Sequence, residues 1–223
     1  MPATQAFALQ PFLEHTAQAL GLDLSAAQQQ QLLDYAALLQ RWNRVYNLTA
    51  VREPEAIARL HLADCLAALP AFRREAPRRL LDVGSGGGLP GIVLAIGLPD
   101  VDVHLVDTVQ KKCAFLRQIC AALGLRQVQV HHARVENLQD AAGFDCITSR
   151  AFSDLPLLIQ LTAPLRADNG QWCAMKGQVP AEEIAALPND ITARVEPLQV
   201  PGLDAQRCLV WLRPTPHATN ARA

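Results

Sequence analysis

A chain of 223 residues, half of them hydrophobic, has enough apolar surface for one α/β domain with a modest extension. Its formal charge of −1 excludes a protein that coats nucleic acid by charge alone, while leaving room for a local basic face. The longest apolar stretches, such as residues 89–98, fall well short of the about 20 residues that span a bilayer. The N-terminal stretch has neither a basic start nor an apolar run ending in a small-residue cleavage site, so a cytoplasmic location is expected. Six cysteines (Cys65, Cys113, Cys120, Cys146, Cys173, Cys208) are scattered, without a C-x-x-C pair or a metal-like Cys/His cluster. They read as reduced, mostly buried thiols, and no metal is expected.

The first third reads as helical. Ser25 followed by Gln28 is a capping-box pattern, after which Leu32, Leu33, Ala36 and Leu39 recur at helical spacing. A second helix is predicted from Pro54, which suits a first turn, through Ile57, Leu60 and Leu66 to Leu69, with Pro70 as its stop. Between the two lies an aromatic and amide-rich connector, Trp42 to Thr49. Eight arginines against Glu53, Glu55, Asp64 and Glu75 make residues 41–79 locally basic, which suits either contact with phosphate or a solvated helix face. His61 and Asp64 share a helix face there but lack further metal ligands.

From Arg79 onward, short apolar runs alternate with helical segments, the signature of a mainly parallel sheet covered on both faces. Strands are predicted at 80–83, 101–106, 128–130, 144–148 and 171–175, with a closing hairpin from 193–200 and 208–212. Helices are predicted to begin near Pro90, Val109, Val135 and Leu155. The expected fold class is thus α/β, Rossmann-like, with a mainly parallel seven-stranded sheet, helices on both faces and a helical N-terminal extension. The expected organisation is a helical segment over residues 1–75 packed on the same domain, a cofactor domain over 76–215, and a frayed tail over 216–223.

Residues 80–91 form a strand, a glycine-rich turn and a helix start. Absent Cβ atoms let backbone approach a ligand, and the new helix is expected to point free N–H groups at it. Gly86 to Gly91 also matches G-x-G-x-x-G, so an NAD-dependent oxidoreductase stays in play. Charge separates the candidates. Asp82, two residues before Gly84, would repel a pyrophosphate, whereas S-adenosylmethionine carries a net positive charge that an acidic residue favours. Asp107 closes the next strand, where a carboxylate accepts hydrogen bonds from ribose hydroxyls or caps a helix. Ala133 to Glu136 follow the third strand, placed to border an adenine ring.

Together these residues resemble the bacterial small-subunit ribosomal RNA guanine-N7 methyltransferase family (RsmG, also called glucose-inhibited division protein B). The likeness runs in order through Arg41-Trp42-Asn43 with Tyr46 to Thr49, residues 82–91, Val106-Asp107 with Lys111-Lys112, Arg134 to Glu136, Ser149 to Phe152, and Lys176 to Gln178. It implies a class I methyltransferase using S-adenosylmethionine, acting on one guanine of the 530 loop of 16S rRNA, with naked rRNA or the small ribosomal subunit as partner. By motif position, Gly84, Leu89, Val135, Glu136 and Arg150 are expected to contact the cofactor, the pair Val135 and Glu136 through backbone at the adenine. Asp82, Gly86, Gly88 and Asp107 complete the expected cofactor site, and Arg150 and Lys176 are the expected catalytic residues. No membrane association is expected, and a monomer is.

Guanine N7 is a lone pair without a proton, so its methylation needs alignment rather than a general base. After the fourth strand the chain has Ser149-Arg150-Ala151-Phe152 in place of the Asn/Asp-Pro-Pro-Tyr of exocyclic-amine methyltransferases, and it lacks the Pro-Cys of pyrimidine C5 enzymes. Arg150 is suited to a cofactor carboxylate or guanine O6, and Phe152 either stacks on a displaced base or belongs to the core. Lys176, one of three lysines, follows the fifth strand at the ligand rim of such sheets. Lys111 and Lys112 read as exposed helix charges, and His131 and His132, on opposite strand faces, as no metal site. A basic groove through Arg41, Arg44, Lys111, Arg150 and Lys176 would favour RNA. A closed apolar pocket would favour a small molecule, and a silent RNA-binding factor on the same fold is a further alternative.

Overall fold

The computed structural model describes residues 8–46 and 48–215; Asn47 of the connector and the expected frayed tail at 216–223 lie outside the described residues. The N-terminal part is helical, with α1 over Leu9–Ala19 and α2 over Ala26–Tyr46. The capping box forms reciprocally: the Ser25 amide donates to Gln28 Oε1 at 2.9 Å and the Gln28 amide to Ser25 Oγ at 3.3 Å. The connector folds around buried Asn43, whose Nδ2 donates to Val51 O at 2.6 Å and whose Oδ1 accepts from the Thr49 amide at 2.8 Å.

The second predicted helix is longer than expected. α3 (Pro54–Ile57) runs through a π-helical stretch (Ala58–Ala63) into α4 (Asp64–Glu75), and Pro70 sits inside α4 rather than ending it. Pro70 is itself exposed, while Leu66, Ala67, Ala68, Leu69, Ala71 and Phe72 around it are buried. Burial of that many apolar side chains outweighs the roughly 3 kcal/mol that a helix-interior proline costs.

The remainder is β1 (Arg79–Val83), α5 (Gly91–Gly97), β2 (Asp102–Asp107), α6 (Gln110–Leu123), β3 (Val128–His132), β4 (Phe144–Arg150), α7 (Leu155–Thr162), β5 (Arg166–Lys176), α8 (Ala181–Ala185), β6 (Ile191–Leu198) and β7 (Arg207–Pro214). The helix predicted near Val135 is a single 3-10 turn, Val135–Asn137. The chain beyond it lacks helical apolar spacing, and Asp140 there is held by Arg79 at 2.8 Å. β5 begins at Arg166, earlier than its apolar run, because Arg166 pairs with Phe144 ahead of a register shift in β4.

The strands form one seven-stranded sheet in the order β3-β2-β1-β4-β5-β7-β6, parallel through β5 and antiparallel in the closing β6–β7 pair. Side chains alternate across it: Leu80 joins the core under α1, α2, α4, α5 and α6, and Leu81 joins the core under α7. Val83 is level with both Val106 and Ser149, so β1, β2 and β4 end together. The strand order reverses between β1 and β4, the place where parallel α/β sheets open a ligand crevice at their carboxyl ends.

The N-terminal helices brace that crevice from behind. Tyr35 of α2, fully buried, donates its hydroxyl to Gly87 O at 2.6 Å, Gln28 Nε2 donates to Ile96 O at 2.7 Å, and Gln31 Nε2 donates to Leu123 O at 2.8 Å. Tyr35→Phe leaves the Gly87 carbonyl without its partner, and urea titration is expected to show a loss of about 1–2 kcal/mol in unfolding free energy.

Candidate active site

The loop after β1 is organised by two carboxylates. Asp82, wholly buried at the end of β1, accepts from the Gly91 amide through Oδ2 at 2.9 Å. Asp107, at the end of β2, accepts from the Gly86 amide through Oδ2 at 3.0 Å and from the Val109 amide through Oδ1 at 2.8 Å, with Lys112 Nζ 3.8 Å away. The Gly84 and Ser85 amides donate to Val106 O at 2.9 and 3.1 Å, and the Gly88 and Leu89 amides to Ser85 O at 2.7 and 3.2 Å. The free amides expected at this loop are therefore mostly engaged within the protein, by strand-end carboxylates and by strand and loop carbonyls. A diphosphate needs such amides unpaired.

Above the loop lies a pocket of about 230 Å³, lined among others by Gly84, Asp107, Val109, Ala133, Val135 and Phe152. Gly84 has φ of 70°, and a Cβ there would stand 2.7 Å from the Phe152 ring, so only glycine fits between ring and loop. Phe152 is half-buried, packed partly on the α7-side core and partly on this pocket. A Cβ at Gly86 would make only an ordinary contact, 3.7 Å from the Gly84 carbonyl, whereas Gly88 (φ of 91°) is fitted against Ile92 and Leu116 and serves packing. Leu89 is likewise core, and Glu136 is exposed, 3.6 Å from Arg134.

Burial pushes the Asp82 carboxyl up to about 7, against the lowering effect of the Gly91 amide and the Arg150 charge. Its Oδ1 has no partner. Among the described residues it shares that condition with one other buried side-chain atom, Nε2 of His61.

A second cleft of about 480 Å³ opens on the far side of the Ser149 to Phe152 segment, and Ala151 lines both. Ala151 has φ of 55°, a left-handed conformation uncommon outside glycine, at the point where the clefts meet. Arg150 Nη1 is 3.3 Å from Asp64 Oδ2, whose other oxygen accepts from Arg207 Nε at 3.0 Å. Lys176 Nζ is bound by Glu183 at 2.8 Å and by Ser153 O at 3.1 Å, and the same Glu183 accepts from the Leu155 amide at 2.8 Å. His61 lines this cleft with its imidazole pushed down to about 4, first by burial and then by the Arg150 charge.

The structure thus brings Gly84, Asp107 and Val135 to one pocket and Arg150 and Lys176 to the adjoining cleft. Arg41 and Arg44 are exposed on α2 outside that cleft, and Lys111 stands 5.5 Å from the Tyr46 ring at the end of the same helix. Lys111 is exposed as expected, but Lys112 is partly buried against Asp107. His131 Nε2 faces His104 Nδ1 at 2.9 Å, and His132 Nε2 is 3.1 Å from Thr108 O. Asp64, Arg207 and Glu183 escaped sequence reasoning as parts of the site. Asp64 carried a signal in its shared helix face with His61; Arg207 and Glu183 carried none, since only the β5–β7 pairing and the packing of α8 bring them in.

A family model described as GidB, rRNA small subunit methyltransferase G, matches residues 28–210. The chain belongs to this family. Ribosomal RNA small subunit methyltransferase G of Methylibium petroleiphilum is 55% identical over 209 residues, covering 92% of this chain and 94% of that one. The protein of the same description from Acidovorax ebreus is 53% identical over 218 residues, covering 92% and 96%. Among solved structures, the SAH-bound methyltransferase PaMTH1 of Podospora anserina superposes with a TM-score of 0.58 at 13% identity, covering 96% of this chain and all of that one. A putative O-methyltransferase from Klebsiella pneumoniae gives 0.58 at 16%, covering 91% and 95%. At such identities these two share the fold. As a member of the GidB family the chain is an rRNA methyltransferase, with small-subunit RNA as its substrate class.

Two outcomes follow from the loop. Gly88→Leu drives a Cβ into Ile92 and Leu116, and thermal denaturation is expected to show a loss of roughly 3 kcal/mol or more; Gly86→Leu, where a Cβ meets no steric clash, costs about 1–2 kcal/mol of backbone strain. The raised Asp82 carboxyl stabilises the fold fully below about pH 4, and that contribution is lost as pH rises through about 7. Denaturation of Asp82→Asn beside the parent is expected to show the variant gaining relative stability across that window and a constant difference above it.

Proposed function

We propose that this chain transfers the methyl group of S-adenosylmethionine to N7 of a guanine in the 530 loop of 16S rRNA. The observation that carries this reading is the pairing of an acidic, amide-satisfied pocket with a base-sized cleft in which none of the described residues is a strong general base. In that cleft Asp64 is tied to two arginines, and His61, its imidazole pushed down to about 4, is a weak proton acceptor although its Nε2 lone pair is unpartnered, so a substrate whose attacking atom carries no proton is the one it suits.

S-adenosylmethionine supplies, when bound, an electrophilic methyl group on a cationic sulfur. The residues present fit it. Asp107 keeps acceptor capacity for ribose hydroxyls, Val135 lines the adenine side with the Glu136 backbone following it in the same 3-10 turn, and Gly84 leaves room above the loop that Gly86 continues. Asp82, Gly88 and Leu89 act from beneath, setting the loop's shape and, through Asp82, its negative potential. Arg150 and Lys176 hold the substrate side, Arg150 toward a carboxylate or guanine O6 and Lys176 toward substrate phosphate or base. A cationic donor gains from Asp107 and from ionised Asp82; Asp107 at its strand end suits the ribose of either cofactor, so the repulsion of a diphosphate by ionised Asp82 and the pairing of the loop amides are what make an oxidoreductase the weaker reading.

In this reading residues 1–75 act as a helical brace on the domain of residues 76–215, and the enzyme works as a cytoplasmic monomer. Among the described residues no helix is long and apolar enough to cross a membrane.

Nucleotide-resolved mass spectrometry of 16S rRNA is expected to show one 530-loop guanine losing its methyl group in cells without the protein. An unchanged methylation map would refute the reading. Arg150→Ala and Lys176→Ala are each expected to lower turnover on small ribosomal subunits by about 10²-fold with a smaller proportional effect on the denaturation midpoint; full turnover in both would remove their assigned roles.

A further inference from the structure

Buried polar atoms without partners are rare in folded proteins, and His61 Nε2 is one of them, on a residue that lines the substrate-side cleft. The hydrogen bonding of the ring fixes what that atom offers. Nδ1 lies 2.9 Å from the Leu60 carbonyl and 3.3 Å from Arg150 Nη1. A guanidinium only donates, and Arg150 Nη1 has Leu60 O and Asp64 Oδ2 as acceptors at 3.3 Å each, so the shorter carbonyl contact takes the Nδ1 proton. Nε2 then carries a bare lone pair. Burial and the neighbouring Arg150 charge keep the ring neutral, so the lone pair persists through the neutral pH range.

A lone pair on a residue that lines a base-sized cleft calls for an N–H donor; Nε2 is itself shut off from solvent, so a base seated there reaches it only with a small shift of the ring or of the side chains over it. In guanine, N7 and the 2-amino group lie at opposite ends of the ring system. With N7 turned toward the cofactor pocket across Ala151, the 2-amino group projects into the far wall of the cleft. Adenine carries only a C–H at that position and leaves the lone pair unsatisfied, a loss that a site built around a hydrogen bond converts into rejection.

We propose that His61 is a specificity-determining residue, its Nε2 accepting a hydrogen bond from the 2-amino group of the target guanine. This rests on the guanine-N7 reading above. Lys176, Arg150 and Arg207 supply positive charge to the cleft, and His61 adds the acceptor that distinguishes one purine from the other.

The test is a substrate–enzyme cycle. Wild type, His61→Ala and His61→Gln are assayed on small subunits reconstituted with 16S rRNA bearing either guanine or inosine at the target position, inosine lacking only the 2-amino group. Wild-type kcat/KM is expected to fall about tenfold from guanine to inosine. His61→Ala is expected to fall about tenfold on guanine with no further loss on inosine, and His61→Gln, whose amide oxygen also accepts, to recover part of the discrimination. S-adenosylmethionine affinity is expected to be the same in all three. The proposal is overturned if His61→Ala still discriminates guanine from inosine as wild type does, or if its turnover on guanine is undiminished. Should wild type methylate the guanine substrate while the cycle is additive, the His61 assignment alone fails; should wild type form no N7-methylguanine, the functional reading fails and takes the assignment with it.

Discussion

Two carboxylates at the ends of adjacent parallel strands hold the rest of this site in place. Asp82 takes the Gly91 amide and Asp107 takes the Gly86 amide, so the loop between β1 and α5 is fixed from both sides by charge-assisted hydrogen bonds. The consequence for recognition is electrostatic. A loop with its amides already paired and two acids beneath it offers little to phosphate and a favourable field to a cation.

The second organising feature is the division at Ala151. A left-handed residue turns the chain after β4 so that one side of the segment faces the acidic pocket and the other faces the Arg150, Lys176 and His61 cleft. Reactions between a donor and a large acceptor need that arrangement, two compartments open to each other at one point. The long α3–α4 stretch supplies His61 and Asp64 to the cleft, and Tyr35 of α2 bonds the Gly loop from behind, so the N-terminal helices help build both compartments.

Much of this was legible in the residues. Short apolar runs located all seven strands, six of them to within two residues at each end and β5 starting five residues early, the Ser25–Gln28 box marked the start of α2, and the order of Asp82, the glycines and Asp107 pointed to a cationic nucleoside. What was not legible is tertiary. Pro70 signals a helix end locally, and only the burial around it carries the helix onward. The glycine loop promises free amides, and only the folded positions of Asp82, Asp107, Val106 and Ser85 show them taken. Arg207 joins Asp64 across 143 positions of sequence, a contact no local pattern announces. Ala151, too, has nothing in its side chain to mark a positive φ.

The central claim is that loop charge and amide pairing select a cationic cofactor over a diphosphate one. Calorimetric titration of the same preparation with S-adenosylmethionine and, separately, with NAD tests it most directly. The account predicts saturable one-to-one binding of the first and no measurable heat from the second. Saturable NAD binding of comparable affinity would contradict it.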